Sequence, residues 1–154
     1  MLARKATRIE IWELKIENMK ENIPAKKSVE FSIEIIELYK VLVSDKKEFV
    51  MSKQLLRSAT AIGALIREAE HAESKADFLH KMNIALKEAN ETGYWLLLLY
   101  KGDYISENVY NDYNTDCFEL IKLLASIVKT TKANLSKWER TLNFQFSIFN
   151  FLHL

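Results

Sequence analysis

The sequence predicts an all-α protein, a bundle of four helices that associates with itself. The first reason is composition: 154 residues include only three glycines and one proline, so turn signals are rare. The second is periodicity, because apolar residues recur at intervals of three and four along most of the chain. The third is the stretch 54–100, which carries more apolar residues than one packing partner can cover.

Composition and charge narrow the class of protein. The formal net charge is +1, too small to mark the whole chain as a binder of nucleic acid or membranes, so either role would need a local patch. The single cysteine, Cys117, excludes an intramolecular disulfide framework and fits a reducing compartment. No apolar run reaches the roughly 18 residues of a spanning helix, and charges interrupt the N-terminal segment where a secretory signal is apolar. We expect a cytoplasmic protein that does not bind membranes.

Residues 1–24 allow more than one structure. One set of apolar residues falls at heptad spacing and predicts an amphipathic helix that ends near Pro24. This set is Ile9, Trp12, Ile16, Met19 and Ile23. Positions 8–11 also begin an alternation of polar and apolar residues, which is typical of a short strand.

The first two predicted helices cover residues 28–43 and 47–72. Ser28 is a suitable N-cap for the first, and residues 44–45 suit a turn and the cap of the second. The inward stripes are Phe31, Ile35, Leu38 and Leu42 in the first helix, and Leu55, Ala59, Ile62, Ile66 and Ala69 in the second. Another face of the second helix carries small residues with a charge at each end, namely Arg57, Ala61, Ala64 and Glu68. Small side chains let another helix approach closely, from the same chain or from a second copy.

The third predicted helix runs from residue 75 to residue 101. Ser74 followed by Asp77 resembles a capping box, and Gly102 follows the last periodic residue, as a C-terminal glycine does. Residues 94–100 are apolar on every side apart from tyrosine hydroxyls, where a surface helix of a monomer would be polar. We therefore expect this run to belong to an oligomer interface, with anchors such as Tyr94, Trp95 and Leu98.

The fourth predicted helix covers residues 107–131, with Ser106 as its cap. Its inward stripe comprises Tyr110, Tyr113, Cys117, Leu120, Leu124 and Ile127. Beyond Ala133 the chain is rich in aromatic residues, and apolar residues alternate with polar ones over 142–148, which predicts a strand. An exposed segment of this kind is prone to aggregate, so we expect it to pack on the bundle or on a neighbour, or else to be poorly ordered.

A metal site has little support in the sequence. Glu68 and His71 form one Glu-x-x-His motif, but a di-iron bundle uses two such motifs and two further glutamates. Neither His80 nor His153 completes a second motif. We therefore expect no metal and no cofactor.

Catalysis has equally little support. Glu88 and Glu91 could form an acid–base pair, but no nucleophile or oxyanion donor accompanies them. Together with Arg57 and Glu68 they are better interpreted as an ion-pair network between the second and third helices, or across a subunit boundary. We expect no enzyme activity and no small-molecule substrate.

Six basic residues are candidates for contacting nucleic acid: Lys53, Arg57, Arg67, Lys75, Lys81 and Lys87. Repeated around an oligomer, even a modest basic patch would bind phosphates strongly. The alternative is an ordinary solvated face, because Glu70, Glu73, Asp77 and Glu88 are interspersed. No motif for sequence-specific RNA recognition is present.

One stretch of the chain resembles a known family. Residues 49–99 are similar to the signature half of the four helix bundle proteins encoded in intervening sequences of bacterial 23S ribosomal RNA genes. The matching positions are Ser52-Lys53-Gln54-Leu55-Leu56-Arg57-Ser58, Ile62, Ala64, Glu68-Ala69, Ser74-Lys75-Ala76-Asp77-Phe78, Lys87-Glu88-Ala89, Glu91-Thr92 and Tyr94-Trp95-Leu96. A looser likeness extends from about Met19 to Lys132. Departures occur at Leu65, where the family commonly has asparagine, and at Arg67, where it has an acidic residue.

The resemblance implies an antiparallel, left-handed, up-down-up-down bundle that assembles into a ring, with a pentamer as the suggested state. The function of the family is not established. Its members resemble in fold an accessory protein of diversity-generating retroelements that binds nucleic acid and a reverse transcriptase, although fold alone does not carry function. Family members commonly start near Met19, which makes residues 1–18 an extra segment in a third interpretation of the N-terminus.

We therefore expect a non-enzymatic homo-oligomer associated with RNA or DNA, or alternatively a protein-interaction scaffold without nucleic acid. The expected interface residues are Arg57, Ala61, Ala64, Glu68, Tyr94, Trp95 and Leu98. The chain divides into an N-terminal extension (1–24), a four-helix bundle (25–133) and an aromatic C-terminal tail (134–154).

Overall fold

The structure, a computed structural model, describes residues 22–152, with the side chains of residues 22–137 and of Arg140. It contains four helices: α1 (Ile23–Ser44), α2 (Met51–Glu70), α3 (Lys75–Lys101) and α4 (Glu107–Leu152). Over the described range the chain forms no strand, and the predicted all-α bundle is confirmed. The left-handed twist and the complete up-down-up-down order stay predictions. The alternatives for residues 1–21 lie outside the described residues.

Each helix contributes one apolar stripe to a common core. The predicted inward residues Ile35, Leu55, Leu96 and Leu124 are fully buried in one hydrophobic cluster. Consecutive helices pack against each other and α4 also packs on α1, whereas no Cα atom of α1 lies within 8 Å of a Cα atom of α3 in the described range. These two helices therefore occupy opposite corners of the bundle. No helix in this part of the chain is long and apolar enough to cross a bilayer.

The start of α1 differs from the prediction. Asn22 is the N-cap, and its side-chain oxygen accepts a hydrogen bond from the N–H of Ala25 at 3.0 Å. Pro24 lies in the first turn, where its missing N–H has no effect because first-turn N–H groups lack helical partners anyway. Ser28 as the cap is wrong. This residue is buried inside the helix, where its hydroxyl donates to the carbonyl oxygen of Ala25 at 2.7 Å.

The start of α2 is set by a buried carboxylate, Glu48, and not by the predicted cap at residues 44–45. Oε1 of Glu48 accepts hydrogen bonds from the N–H groups of Val50 at 3.0 Å and Met51 at 2.9 Å. Oε2 accepts a third from the N–H of Ser52 at 2.6 Å. Burial alone would raise the pKa of Glu48, but these backbone donors outweigh it, so the pKa lies below its usual value. The ionised carboxylate therefore stabilises this helix terminus.

The capping box at the start of α3 is confirmed. The Oγ of Ser74 accepts a hydrogen bond from the N–H of Asp77 at 3.0 Å. The carboxylate of Asp77 in turn accepts one from the N–H of Glu73 at 3.3 Å. One first-turn donor and the N–H just before the cap are thereby satisfied within five residues of sequence, which explains why local pattern was enough to locate this end.

The end of α3 lies at the predicted glycine but for a different reason. Gly102 has an ordinary φ of −88°, and the left-handed residue is Asp103, with φ 62°. The N–H of Tyr104 donates to the carbonyl oxygen of Leu99 at 2.9 Å, as in a Schellman motif. A Cβ on Gly102 would lie 3.0 Å from the carbonyl oxygen of Leu98. Close approach of the backbone therefore requires the glycine.

α4 continues far beyond its predicted end. Ser106 caps it as predicted, accepting a hydrogen bond from the N–H of Val109 at 3.4 Å, but the helix extends to Leu152. The strand predicted over 142–148 is wrong. No glycine or proline occurs over 103–152, and intervals of three and four persist beside the two-residue alternation, so nothing ends the helix. α4 crosses the expected boundary at residues 133–134 without a break.

Candidate functional site

The charged ends of the small-residue face of α2 are joined to α3. Nη2 of Arg57 lies 2.7 Å from Oε1 of Glu91, and Nη1 lies 4.0 Å from Oε1 of Glu88. At the other end of the face, Nζ of Lys81 lies 2.7 Å from Oε2 of Glu68. The ion-pair network expected between these helices is therefore present. Because the side chain of Arg57 is 56% exposed, its pairs add little stability and leave its guanidinium accessible.

Glu91 connects the ion pairs to an apolar patch on α3. Its Oε1 accepts a hydrogen bond from Nε1–H of Trp95 at 3.1 Å, and the Trp95 ring packs edge-to-face on Tyr94 with centroids 5.2 Å apart. Tyr94 is 54% exposed and Leu97 is 38% exposed, whereas Leu96 between them is fully buried. We call Tyr94 and Leu97 the α3 patch.

The residues predicted to form an interface lie along the side where α2 and α3 meet. Of the seven, Arg57, Ala64, Glu68 and Tyr94 are exposed, and Ala61, Trp95 and Leu98 are half-buried. Three ion pairs join the helices along this side, with Ala61 and Ala64 between the pairs of Arg57 and that of Glu68, and with Tyr94 and Trp95 beyond Glu91. This side therefore combines small, apolar and charged groups.

A buried hydroxyl pair links the same two helices below the ion pairs. The hydroxyl of Thr92 donates to the Oγ of Ser58 at 2.9 Å, and both side chains are fully buried. Next to it, Oε2 of Glu88 is buried without a hydrogen-bond partner among the described residues. An unsatisfied buried oxygen is unfavourable, so Glu88 is the least well satisfied polar group of this region.

The six basic candidates do not share one environment. Arg57 and Lys81 are engaged in the ion pairs, and the hydrogen bond to Glu68 raises the pKa of Lys81. Lys53, Arg67, Lys75 and Lys87 are exposed. Lys53 and Arg67 are two heptads apart on α2, which places them in one row on its outer side.

An open cleft of about 660 Å³ lies at the turn between α2 and α3. Its lining residues are Arg67, Glu68, His71, Glu73, Asp77 and Lys81. Three carboxylates stand among the basic groups, so the cleft is unsuited to phosphate. Both residues of the Glu-x-x-His motif are present, but the described residues contain no group of three His, Cys, Asp or Glu placed to hold a metal ion.

Sequence reasoning missed an apolar patch on the outer side of α1. Val29, Ile33 and Ile36 are 39%, 56% and 37% exposed, and their spacing of four and three puts them on one face. We call these three residues the α1 patch. The signal is present in the sequence as a second apolar stripe beside the one that contains Ile35, because only one of the two stripes can face the core.

Cys117 is a structural residue, as predicted. Its side chain is fully buried and its thiol donates to the carbonyl oxygen of Ala89 at 3.3 Å. Burial raises the pKa of Cys117 to about 12, against a smaller lowering by a hydrogen bond from the backbone of Gly93. The reactive thiolate form is therefore scarce at neutral pH.

Comparison with known proteins identifies a family and a solved relative. The model of the family described as 23S rRNA-intervening sequence protein matches residues 20–126. A crystal structure of a protein of unknown function from the S23 ribosomal protein family of Bacteroides thetaiotaomicron VPI-5482 has 59% sequence identity and a TM-score of 0.70. The similarity covers 72% of this chain and 99% of that chain. No curated protein matches. The matched region contains every residue of the two patches and of the ion-pair network.

Proposed function

Because the chain belongs to the 23S rRNA-intervening sequence protein family, we propose that it acts as a non-catalytic bundle that associates with further copies of itself. One observation carries this proposal: two apolar patches are exposed on helices at opposite corners of the bundle, the α1 patch and the α3 patch. Exposed apolar residues that adjoin one another on a helix face are common at protein interaction sites.

The positions of the patches favour head-to-tail contact. Since the patches lie on opposite corners, the α1 patch of one copy can cover the α3 patch of the next. Contacts between two different surfaces generate rings when the rotation closes and filaments when it does not. The five side chains are each about half exposed, and covering them contributes about 1 kcal/mol apiece, or about 5 kcal/mol per contact. The small-residue face of α2, on the side of the bundle where α2 and α3 meet, supplies further contact area.

Light scattering of two matched variants tests the proposal. Ile33→Glu puts a charge into the α1 patch, whereas Val41→Glu changes an equally exposed aliphatic residue of the same helix, at 47% against 56% exposure, outside the patch. We expect an oligomer for the unmodified protein and for Val41→Glu, and a monomer for Ile33→Glu, with the same helical circular dichroism for all three. A monomer mass for the unmodified protein at micromolar concentration would refute the proposal.

Association with RNA is the second candidate function. It is favoured by Lys53, Arg67 and Lys87, which are exposed and take part in none of the ion pairs within residues 22–137. A net charge of +1 gives a single chain little attraction for phosphates, but an oligomer repeats these three cations in every copy.

The RNA hypothesis is tested by binding of the oligomer to an RNA hairpin at increasing salt. We expect affinity to fall steeply with salt, and we expect Lys53→Glu with Arg67→Glu to abolish binding without changing the oligomer mass. Lys46→Glu with Lys47→Glu, in the exposed α1–α2 loop, is the matched double charge reversal that should have a smaller effect. Absence of binding at low salt would favour the protein-interaction scaffold.

A further inference from the structure

We propose that the side of the bundle formed by α3 and α4 receives α1 of a second copy, with lysines of this side facing carboxylates of α1. We call it the α3–α4 face, and its exposed residues are Lys87, Tyr94, Lys101, Phe118, Lys122 and Lys129. The proposal rests on the self-association proposed above, to which it adds a larger contact surface and the charges that align it. Its basis is a separation of charge that the net charge of +1 conceals.

α3 presents lysines on this face and turns its carboxylates away from it. Its outer row consists of exposed residues seven positions apart, namely Lys87, Tyr94 and Lys101. The carboxylates of residues 86–101 are Glu88 and Glu91, and both approach Arg57 of α2. The outer row of α3 is therefore basic and aromatic.

α4 contributes an exposed aromatic residue and two further lysines. Phe118 is 53% exposed and follows Cys117, whose thiol contacts the carbonyl oxygen of Ala89 in α3. Nζ of Lys122 lies 4.6 Å from the centre of the Phe118 ring, and Lys129 comes one heptad after Lys122. Phe118 thus extends the apolar surface of the α3 patch onto α4, with lysines beside it.

The carboxylates of α4 lie on its other side, toward α1. Within residues 111–129 they are spaced by four and three, namely Asp112, Asp116 and Glu119. Asp116 and Glu119 line a small cleft between α1 and α4, and Phe118 lies about 160° around the helix from Asp116. The four lysines of the α3–α4 face accordingly form none of the ion pairs found within residues 22–137.

The complementary surface is the edge of α1 that borders α4. We call it the α1 edge, and it consists of three exposed carboxylates, Glu30, Glu34 and Glu37. Partial burial, the charge of Asp116 and a hydrogen bond with it raise the pKa of Glu34. Two lysines form ion pairs in this region, Lys27 with Glu119 and Lys40 with Glu37. The α1 edge and the adjacent carboxylates of α4 therefore exceed in number the cations that the chain places beside them.

The apolar and charged residues of the two surfaces fit each other. Ile33 of the α1 patch lies three residues after Glu30 and four before Glu37, so both carboxylates adjoin it. Lys26 and Lys40, one heptad to either side of Ile33, mark the ends of this surface. Of the two directions in which α1 of one copy can lie along α3 of the next, charge favours the one that sets the α1 edge on the lysines.

A second copy suits these surfaces better than an anionic partner does. The whole chain has a net charge of only +1, so its separated charges nearly balance, and each copy supplies the charge that the facing surface lacks. RNA would neutralise the lysines of the α3–α4 face but would leave the α1 edge without cations.

Charge reversal on each surface tests the contact. Lys87→Glu with Lys122→Glu reverses the α3–α4 face, and Glu30→Lys with Glu37→Lys reverses the α1 edge. Each double variant sets like charges against each other, so we expect self-association at least about tenfold weaker by light scattering, with unchanged helical circular dichroism. Combining all four changes restores opposite charges at the contact and leaves the net charge as it was. We expect this variant to associate as the unmodified protein does.

Lys46→Glu with Lys47→Glu is the matched control. It changes the net charge as much as the reversal of the α3–α4 face does, but in the exposed α1–α2 loop, and should leave association unchanged. A monomeric unmodified protein would refute self-association itself. An unmodified oligomer that both double variants retain, or a combined variant that stays dissociated, would overturn the α1 contact alone. Loss of RNA hairpin binding by the α3–α4 variant at unchanged oligomer mass would overturn it in favour of nucleic acid.

Chemical cross-linking between copies gives an independent measurement. A carbodiimide joins a carboxylate to an amine when the two groups are in contact. In an oligomer mixed from isotope-labelled and unlabelled protein, mass spectrometry should find Glu30 or Glu37 of one copy joined to Lys87, Lys101 or Lys122 of another. Cross-links that join these lysines only to carboxylates of their own chain would contradict the proposal.

Discussion

Replacement of Glu48 by glutamine should destabilise the bundle, although the two side chains differ only in that an NH2 group takes the place of one carboxylate oxygen. Glu48 is 6% exposed and accepts three backbone hydrogen bonds at 2.6–3.0 Å at the start of α2. The amide oxygen of glutamine can keep the two bonds made by Oε1, but its NH2 group then faces the N–H of Ser52. One charge-assisted hydrogen bond, about 1.5–3 kcal/mol, is lost, and the interaction with the helix dipole, about 0.5 kcal/mol, is lost with it. Together these two losses lower the free energy of unfolding by about 2–3.5 kcal/mol at pH 7.

The same residue predicts a pH dependence of known sign. The folded protein lowers the pKa of Glu48 below the usual value of 4.5, so its stabilising effect is complete above that value and is lost as pH falls through the folded pKa. Urea denaturation followed by circular dichroism should therefore show a large difference between the unmodified protein and Glu48→Gln at pH 7, which shrinks below pH 4.5. Glu37→Gln, at an exposed carboxylate, should change stability by less than about 0.5 kcal/mol. A difference for Glu48→Gln that stays constant with pH would refute the reasoning.

Two further predictions concern the core. An added Cβ at Gly63 would lie 3.0 Å from the Oγ of Ser28, so Gly63→Ala should destabilise the unmodified protein. In a Ser28→Ala variant the same change should stabilise the protein by about 0.5–1 kcal/mol, because alanine favours helix. A double-mutant cycle that shows no coupling between the two positions would contradict the contact. Cys117, with a pKa of about 12, should resist alkylation at pH 8 in the folded protein and react once urea unfolds the chain. Rapid labelling of the folded protein would contradict the burial of this thiol.

The sequence predicted those parts of the fold whose causes are local. The capping box of Ser74 and Asp77 lies within one helical turn, and both ends of α3 were located from such signals. The start of α2 could not be predicted in this way. Glutamate is not among the residues typical of helix N-caps, and Glu48 accepts these hydrogen bonds from a position that is buried only in the folded bundle. The strand expected over 142–148 failed because those residues satisfy a period of two and a helical spacing at once, and only continuity with α4 decides between them.

The sequence predicted which residues of the candidate site interact, but it did not predict where every exposed surface lies. Arg57, Glu88 and Glu91 were expected to form ion pairs because their types and spacing fit facing helices. The α1 patch was missed because periodicity gives two apolar stripes for α1 and does not say which stripe faces inward. That choice depends on where α2 and α4 lie, which is a property of the whole bundle.

The hydroxyl pair of Ser58 and Thr92 gives the bundle a means of choosing between alternative alignments. Apolar stripes repeat every turn, so α2 could slide along α3 by one turn and still bury leucine and alanine. After such a slide the two hydroxyls would lose the hydrogen bond between them, about 0.5–1.5 kcal/mol, and would keep only their bonds to carbonyl oxygens of their own helices, Ser58 to Leu55 and Thr92 to Glu88. Replacing both residues by alanine would remove that penalty from every alignment alike. The interior would then remain well packed, but α2 and α3 would lose a buried polar contact that favours the native alignment over its neighbours.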